Sequence, residues 1–570
     1  MRGGTPEQTL VMIDGAIMNS ATIGSYDFAN LTTDNIERIE ILRGNQSMLW
    51  GSDAMGGVIN ITTRRGNGAP NVSAFSEYGS FNSIREGTAV KGKKGPVDVS
   101  ASLSRWDSSS FSAINYRRGA TERDGYHNWQ GSVGVGADLP KDGRFEFSFR
   151  WMNGITNYDG FAFNPATSQF DPADALGAKT KSTQYVFAGS YKQPITDWWS
   201  QKLTMSRATD NLVSFNGTAL RNVVTGTTGT AFQDYSNIQT TSNRIEWQNN
   251  FQVSKPLLVT AGYQFREQQG ENQNYLDPTT SFPTKIVSSN AGFADAQLNL
   301  WDRLFGTAGI RQDEYNVFGS ATTYRVTGGY LHHETGTKLR GSYGTGFRTP
   351  TINQLFFPGF GNPNLQPEKS QGLDVAVDQT LFNDRVILSA GYFWTRYRNL
   401  ILSVFDPSVC TAPNSFGFCA QNVGLARAQG VETSAKFKLV RDLPWIKSLD
   451  LQFQYTYTAT NNLTDGQDAR LPKWPLNQWS TILSYQPIEA LRANLEGRFV
   501  GQRYNNVENT APIGSFYVWN VSATYDVNSS MQIYMRADNI FNRQYEEVLF
   551  FGTPTRSIFG GMKINFDIPT

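Results

Sequence analysis

Few residues of this chain are equipped for bond-breaking chemistry. It has three histidines, His127, His332 and His333. His332-His333-Glu334 runs straight into Thr335-Gly336, so it reads as a hairpin end and not as an H-E-x-x-H zinc pattern. No G-x-S-x-G elbow occurs, and neither cysteine is placed with a histidine for nucleophilic attack. An enzyme is not expected, and no catalytic residue is assigned. The two cysteines, Cys410 and Cys419, share the stretch SVCTAPNSFGFCA, whose Pro, Ser, Asn and Gly content reads as an exposed loop. A disulfide there implies an oxidising compartment; two unpaired thiols are the alternative. Carboxylates offer one further possibility. Glu122 and Asp124 of TERDGY, with Asp159, Asp171 and Asp174 in later loop sequence, supply the oxygens a hard cation takes. Arg123 opposes that reading, and solvated turn acids are the alternative.

These residues need a scaffold, and composition limits the choice. The chain has 570 residues, 39% of them hydrophobic, with a mean hydropathy of -0.41. No run approaches the ~18 apolar residues of a spanning helix, so a helical membrane protein is excluded. A transmembrane β-barrel stays open, because each of its strands shows only alternate residues to lipid. Aromatics reach 13%, and such rings suit a boundary between hydrocarbon and water. A net charge of +1 gives no electrostatic case for nucleic acid. Met1-Arg2-Gly3-Gly4 carries no basic-then-apolar leader.

From about residue 70 onward, runs of roughly ten alternating residues recur between turns and polar loops. Phe145, Phe147, Phe149 and Trp151 share one face, and Glu146, Ser148 and Arg150 the other. Leu451, Phe453, Tyr455 and Tyr457 oppose Gln452, Gln454, Thr456 and Thr458. Leu491, Ala493 and Leu495 oppose Arg492, Asn494 and Glu496. A soluble sandwich of this size would need helices or a second layer, and 3.6-residue periodicity is almost absent. A propeller would show a blade repeat, and none is apparent. The pattern predicts an all-β, antiparallel barrel with charged faces turned inward, since Arg or Glu facing mid-membrane lipid costs ~2–4 kcal/mol. Residues 1–65 differ. TLVMIDG and IEILRG read as short strands, Thr33-Asp34 as the cap of one helical turn, and GNQSMLWGSDAMGGVINITTRR as tight reversals joining Ile39–Leu42 to Val58–Thr63. A unit this small is marginal alone and predicts an enclosing partner.

Three separated stretches then carry a resemblance. IERIEILRGNQSMLWGSDAMGGVINITTRR resembles the second half of the plug of TonB-dependent outer-membrane receptors. FRTPTINQLFFPGFGNPNLQPEKS resembles the barrel signature of that family, and ADNIFNRQYEEVLFFGTPTRSIFGGMKINF its last two strands. The resemblance implies a barrel of about 22 strands over residues 66–570 in the Gram-negative outer membrane, with a small α/β plug of residues 1–65 inside it. It implies import of a scarce, large nutrient, energised by TonB with ExbB and ExbD, amid outer-membrane lipid. Family plugs begin earlier than Met1, so the signal peptide, the TonB-contacting box and about half the plug are expected to be missing; such a chain would form a barrel but not be energised. Family members often end on an aromatic residue, whereas Asp567-Ile568-Pro569-Thr570 follow Phe566.

By the same resemblance, Arg2 and Arg43 match paired plug arginines that meet two barrel glutamates, here Glu368 of QPEKS and Glu432 of QGVE. Haem is disfavoured, because TINQLFFPGFG lacks the histidine that haem receptors place there. YGTGFRTP followed by GNPNLQPEKS is most similar to the cobalamin-receptor branch, and NYDGFAF and TERDGY resemble its segments near calcium-organised outer loops. Calcium at Glu122, Asp124, Asp159, Asp171 and Asp174 is therefore the one cofactor expectation. The cargo expected first is cobalamin or another corrinoid, then a ferric siderophore; a passive porin-like channel is the reading from a different class. Ligand-contacting residues are not assigned.

Overall fold

The computed structural model describes residues 1–164, 166, 169–230, 234–413, 415, 417–464 and 469–568. Among the described residues, 22 antiparallel strands form a closed barrel. Closure is made by the last strand, Ser557–Asp567, which pairs with the first, Asn71–Gly79, through Phe559↔Gly79 to Asp567↔Asn71. No sheet edge is left for lipid, as a spanning sheet requires. The alternation seen in sequence becomes inside and outside. Ser148 and Arg150 are buried in the lumen, while Phe145 and Phe147 are exposed on the outer wall. One rim carries short turns, such as 95–96, 255–256 and 489–490, and the other the long connections 109–125, 158–178, 349–367 and 539–556. In outer-membrane barrels the short turns are periplasmic and the long loops extracellular. Pro569 and Thr570, on which the reading of the chain's final residues rests, lie outside the described residues.

The amino-terminal unit is a four-stranded sheet in the order β2-β1-β4-β3: β1 Thr9–Ile13, β2 Ala16–Ile17, β3 Ile36–Arg43 and β4 Gly57–Thr63. Its core is small, with Leu10, Met12, Ala54 and Val58 on one side and Val11, Ile13 and Ile61 on the other. The expected helical turn at Thr33-Asp34 is absent; a 3-10 turn forms just before it, at Phe28–Asn30, where the Asp27 side chain accepts from the Ala29 N–H. Strand β4 ends at Thr63 and the first wall strand starts at Asn71.

The enclosing partner is the barrel itself. Arg244 donates to the Gly15 carbonyl at 3.1 Å, Asn35 to Ser132 at 2.6 Å, and Asn128 to the Asn30 carbonyl at 3.0 Å. Asn128 and Ser132 share the wall strand Tyr126–Leu139 and Arg244 lies on Tyr235–Ser254, with three strands between them, so the sheet is held at two separate places within the bore.

Candidate functional site: plug seam and outer acidic cluster

The segment from Gly44 to Asp53 contains one helical turn, α1 (Ser47–Trp50), too short to be stable by itself. Wall contacts supply what it lacks. Asn45 donates to the Gly344 carbonyl at 2.8 Å and accepts from Ser370 at 3.0 Å; Ser47 accepts from the Phe347 N–H at 3.3 Å, and Ser52 from the Thr349 N–H at 2.9 Å. Two glycines let the chain approach that closely. A Cβ on Gly51 would lie 2.9 Å from the Arg311 guanidinium, and one on Gly44 2.9 Å from the Asp374 carboxylate; both residues have positive φ, 77° and 79°. The glycine-rich run is thus a seam between plug and wall as well as a set of reversals within the plug.

Charge fixes the seam. Arg2 grips Glu432 with two hydrogen bonds, of 3.1 and 2.8 Å, and also pairs with Asp374. Arg43 reaches the same Glu432 at 3.0 Å. Its guanidinium is about half exposed, so it adds less than Arg2. Glu368 does not join this group, contrary to the sequence expectation. It is held by Arg348 of its own wall through two bonds of 2.9 Å, accepts from Gln8 of the plug at 2.8 Å, and takes the Ile401 N–H at 2.9 Å. The physical reason is register. Arg348 lies directly opposite Glu368 on the adjacent strand and is the nearest cation when the pair is sealed from water. Asp374, which sequence reasoning missed, takes the second acidic place. It lies on the same strand face as Glu368, an even number of residues on, so strand alternation could have exposed it. A third pair was also missed: Asp53 of the plug, at φ 75°, accepts from Arg266 at 2.9 Å.

On the extracellular rim the five acids separate. Glu122, Asp124 and Asp159 bring carboxylate oxygens within 4.8 Å of one another. Asp159 also accepts from Ser112 and from the Ile114 N–H, both at 2.9 Å. Asp174 stands beside them, fully buried, with one oxygen held by Arg221 at 3.0 Å and by Thr121, and the other buried without a hydrogen-bond partner. Asp171 is apart; the amides of Asn164 and Asn222 cap it at 2.7 and 3.0 Å. Arg123 is exposed. Solvated turn acids would not look like this, since Asp124 and Asp159 are only 6% and 7% exposed. Burial first, then the neighbouring carboxylates, push the Glu122 carboxyl up to about 8. The same causes raise Asp124 to about 7 against the pull of the Ala113 N–H. One oxygen of Asp124 is also buried without a partner. Orphaned, mutually repelling oxygens in a close group fit a divalent hard cation.

Asp124 also lines a cavity of about 730 Å³, bounded by the wall strands on either side of barrel closure and by Ala29 of the plug. Phe81, Trp106, Tyr126 and Tyr545 face it. Its arginines are already neutralised: Arg498 pairs with Glu547 at 2.7 Å, and Arg536 with Asp538 and, at 3.2 Å, with Glu77. Cys410 and Cys419 are joined in a disulfide, with Cα atoms 5.3 Å apart. His332 and His333 lie at a short-turn hairpin, as their sequence suggests.

Known proteins agree with this architecture. The model of the TonB dependent receptor-like beta-barrel matches residues 105–540, and that of the TonB-dependent Receptor Plug Domain residues 1–58. The chain belongs to the TonB-dependent receptor family. It is a receptor and transporter of the outer membrane, with a plug inside a 22-stranded barrel. It is 25% identical over 567 residues to the vitamin B12 transporter BtuB of Photobacterium profundum, covering 99% of this chain and 86% of that one. The BtuB of Vibrio vulnificus is also 25% identical, over 96% of this chain and 81% of that protein. Among solved structures, the siderophore receptor PirA from Acinetobacter baumannii superposes with a TM-score of 0.79 at 18% identity, covering 99% of this chain and 92% of PirA. The FrpB iron transporter from Neisseria meningitidis (F3-3 variant) also reaches 0.79, at 15% identity, covering 99% and 93%. Those two likenesses speak to fold alone.

Proposed function

We propose that this receptor imports cobalamin or another corrinoid, energised by TonB with ExbB and ExbD, and performs no covalent chemistry on its cargo. The observation that carries this reading is the similarity to BtuB along 99% of the chain. The cavity adds support. Its walls are aromatic and its arginines are paired with carboxylates, which suits a bulky amide-fringed macrocycle better than a polyanionic ferric chelate. We assign Glu122, Asp124 and Asp159 as the groups that would hold calcium, with Asp174 adding negative charge alongside. Bound there, the cation would offset the carboxylates' repulsion and fix loop 109–125 over the cavity mouth. Equilibrium binding to outer-membrane vesicles tests the cargo: cyanocobalamin should bind tightly and ferric siderophores weakly. Tight binding of a ferric siderophore with no corrinoid binding would replace the proposal with the iron reading.

A further inference from the structure

The outer wall carries one patch that the transport reading does not use. Wall strands Glu368–Leu381, Val386–Phe405 and Phe418–Leu443 are consecutive neighbours. Their inward residues are identified by contact with the plug: Tyr397 donates to the Arg2 carbonyl, Phe393 lies under the Arg2 guanidinium, and Glu432 pairs with it. The alternate positions therefore face outward. Near the extracellular rim those positions are Lys369, Arg396, Arg398 and Arg427. Lys369 sits directly opposite Arg398, and Arg396 directly opposite Arg427.

Like charges facing each other across a strand pair destabilise it, so such an arrangement calls for a counter-charge. Among the described residues none is supplied. Other outward positions of these strands beside the cations include Gln371, Leu373, Trp394, Leu425 and Gln429, and the flanking strands place Phe347 opposite Lys369 and Asn461 opposite Arg427, with Thr345, Tyr343, Ala459 and Tyr457 below them. Among the described residues none of the four cations is in an ion pair with a carboxylate, and the Nε atoms of Arg396 and Arg427 are buried with no hydrogen-bond partner. Their height on the wall is also defined. From Val386 beside the periplasmic turn to Arg396, at ~3.3 Å per residue and a tilt of ~40°, the strand climbs roughly 25 Å, the height of the apolar band. Below the patch that band is plain, with Tyr392, Val375, Val431 and Tyr457 exposed to lipid. The cations thus emerge at the headgroup level of the outer leaflet, just beyond Trp394 and Tyr392 of the aromatic girdle.

We infer that Lys369, Arg396, Arg398 and Arg427 form a binding site for the phosphate-bearing headgroup of an outer-leaflet lipid. Arginine forks match phosphate oxygens two at a time, and the lysine adds a point charge. Continuity with the lipid-facing wall selects a lipid over free phosphate. The receptor, reconstituted in nanodiscs, should retain bis-phosphorylated lipid A through detergent washing, read by native mass spectrometry, and should lose it when the lipid is dephosphorylated enzymatically. Each basic side chain at an anionic surface is worth roughly a fivefold factor. The combined variant K369Q/R396Q/R398Q/R427Q should therefore bind the phosphorylated lipid at least about a hundredfold more weakly, with cargo affinity unchanged. Inorganic phosphate should not displace the lipid. Equal retention of phosphorylated and dephosphorylated lipid by the unaltered receptor would overturn the site, as would equal retention by the variant; the first comparison needs no variant to fold. Displacement by inorganic phosphate would also overturn it.

Discussion

The two sides of the bore are built from the same alternating strands and do opposite things. Toward the extracellular end of strands Leu257–Asn274 through Glu368–Leu381 the lumen is filled by packed side chains, while lower on the same side a polar cavity of about 450 Å³ lies beside Arg2, Arg43 and Asp374. Loop 349–367 folds inward there as a short helix, Ile352–Phe356, started by a capping box between Thr351 and Gln354. Its Ile352 N–H bonds the Ala21 carbonyl of the plug, and Ile352, Leu355 and Leu365 pack with Phe282, Tyr315 and Phe347. Across the bore, strands Asn477–Ile488 through Gly143–Asn157 face an open cavity ringed by aromatics and paired charges. Alternation decides only which residues enter the lumen. Whether they become a core or a chamber depends on what the plug and loop 349–367 bring to meet them.

Mutations should separate the two sides, and the largest effect belongs to the seam. Glu368→Gln leaves the Arg348 guanidinium sealed without its carboxylate, a loss of ~3–5 kcal/mol. Hydrogen exchange should show Gly344–Ile352 and the plug turn at Ser52 losing protection together, whereas loss confined to the wall would mean that the seam is not shared. Leu355→Ala removes buried methyls from the packed cluster at ~2–5 kcal/mol. Trp106→Ala on the chamber side should cost less stability but weaken cargo binding. Equal stability losses for the two would erase the distinction drawn here. Asp124→Asn should abolish any calcium dependence of cargo affinity while leaving the melting temperature within a few degrees. The smallest effect is a pH trend. Protons hold Glu122 and Asp124 up to about 8 and about 7, and a cation must displace them. Without the cation the folded loop binds more protons than the unfolded chain from about pH 4 up to those values, so its stability falls as pH rises through that window. Calcium affinity should rise with pH through the same range and level off above it; a flat titration calorimetry profile would remove the cation from these acids.

Much of this architecture is legible in the sequence. Barrel closure follows from strand periodicity and low hydropathy. The plug pairs follow from the alternation of IERIEILR against GVINITT, which the structure pairs as Ile41↔Ile59 and Leu42↔Val58. Arg2, Arg43 and Glu432 meet because they sit in recognisable words. Register is not legible, and it decides the rest: Arg348 opposes Glu368 only in the folded ladder, and Asp374 joins Arg2 because it shares an inward face. The acidic loop is half legible. Glu122 and Asp124 are neighbours in sequence, but Asp159 reaches them from another loop, while Asp171 pairs opposite Ala162 in its own hairpin and so stays apart. The chamber could not be read at all, since its walls run from Phe81 to Phe559.

The central claim is that the first sixty-odd residues are docked inside the bore along strands Thr337–Arg348 and Glu368–Leu381. Its most direct test is the double variant Asn45→Cys/Ser370→Cys, at two positions whose native side chains meet at 3.0 Å, with intact outer membranes treated with a short bifunctional thiol reagent. Peptide mapping by mass spectrometry should find the plug peptide joined to the wall peptide in high yield, and a control pair on opposite sides of the barrel should stay unjoined. If the cysteine introduced at position 45 instead reacts singly and freely, with no cross-link to position 370, the plug is not seated where this account puts it.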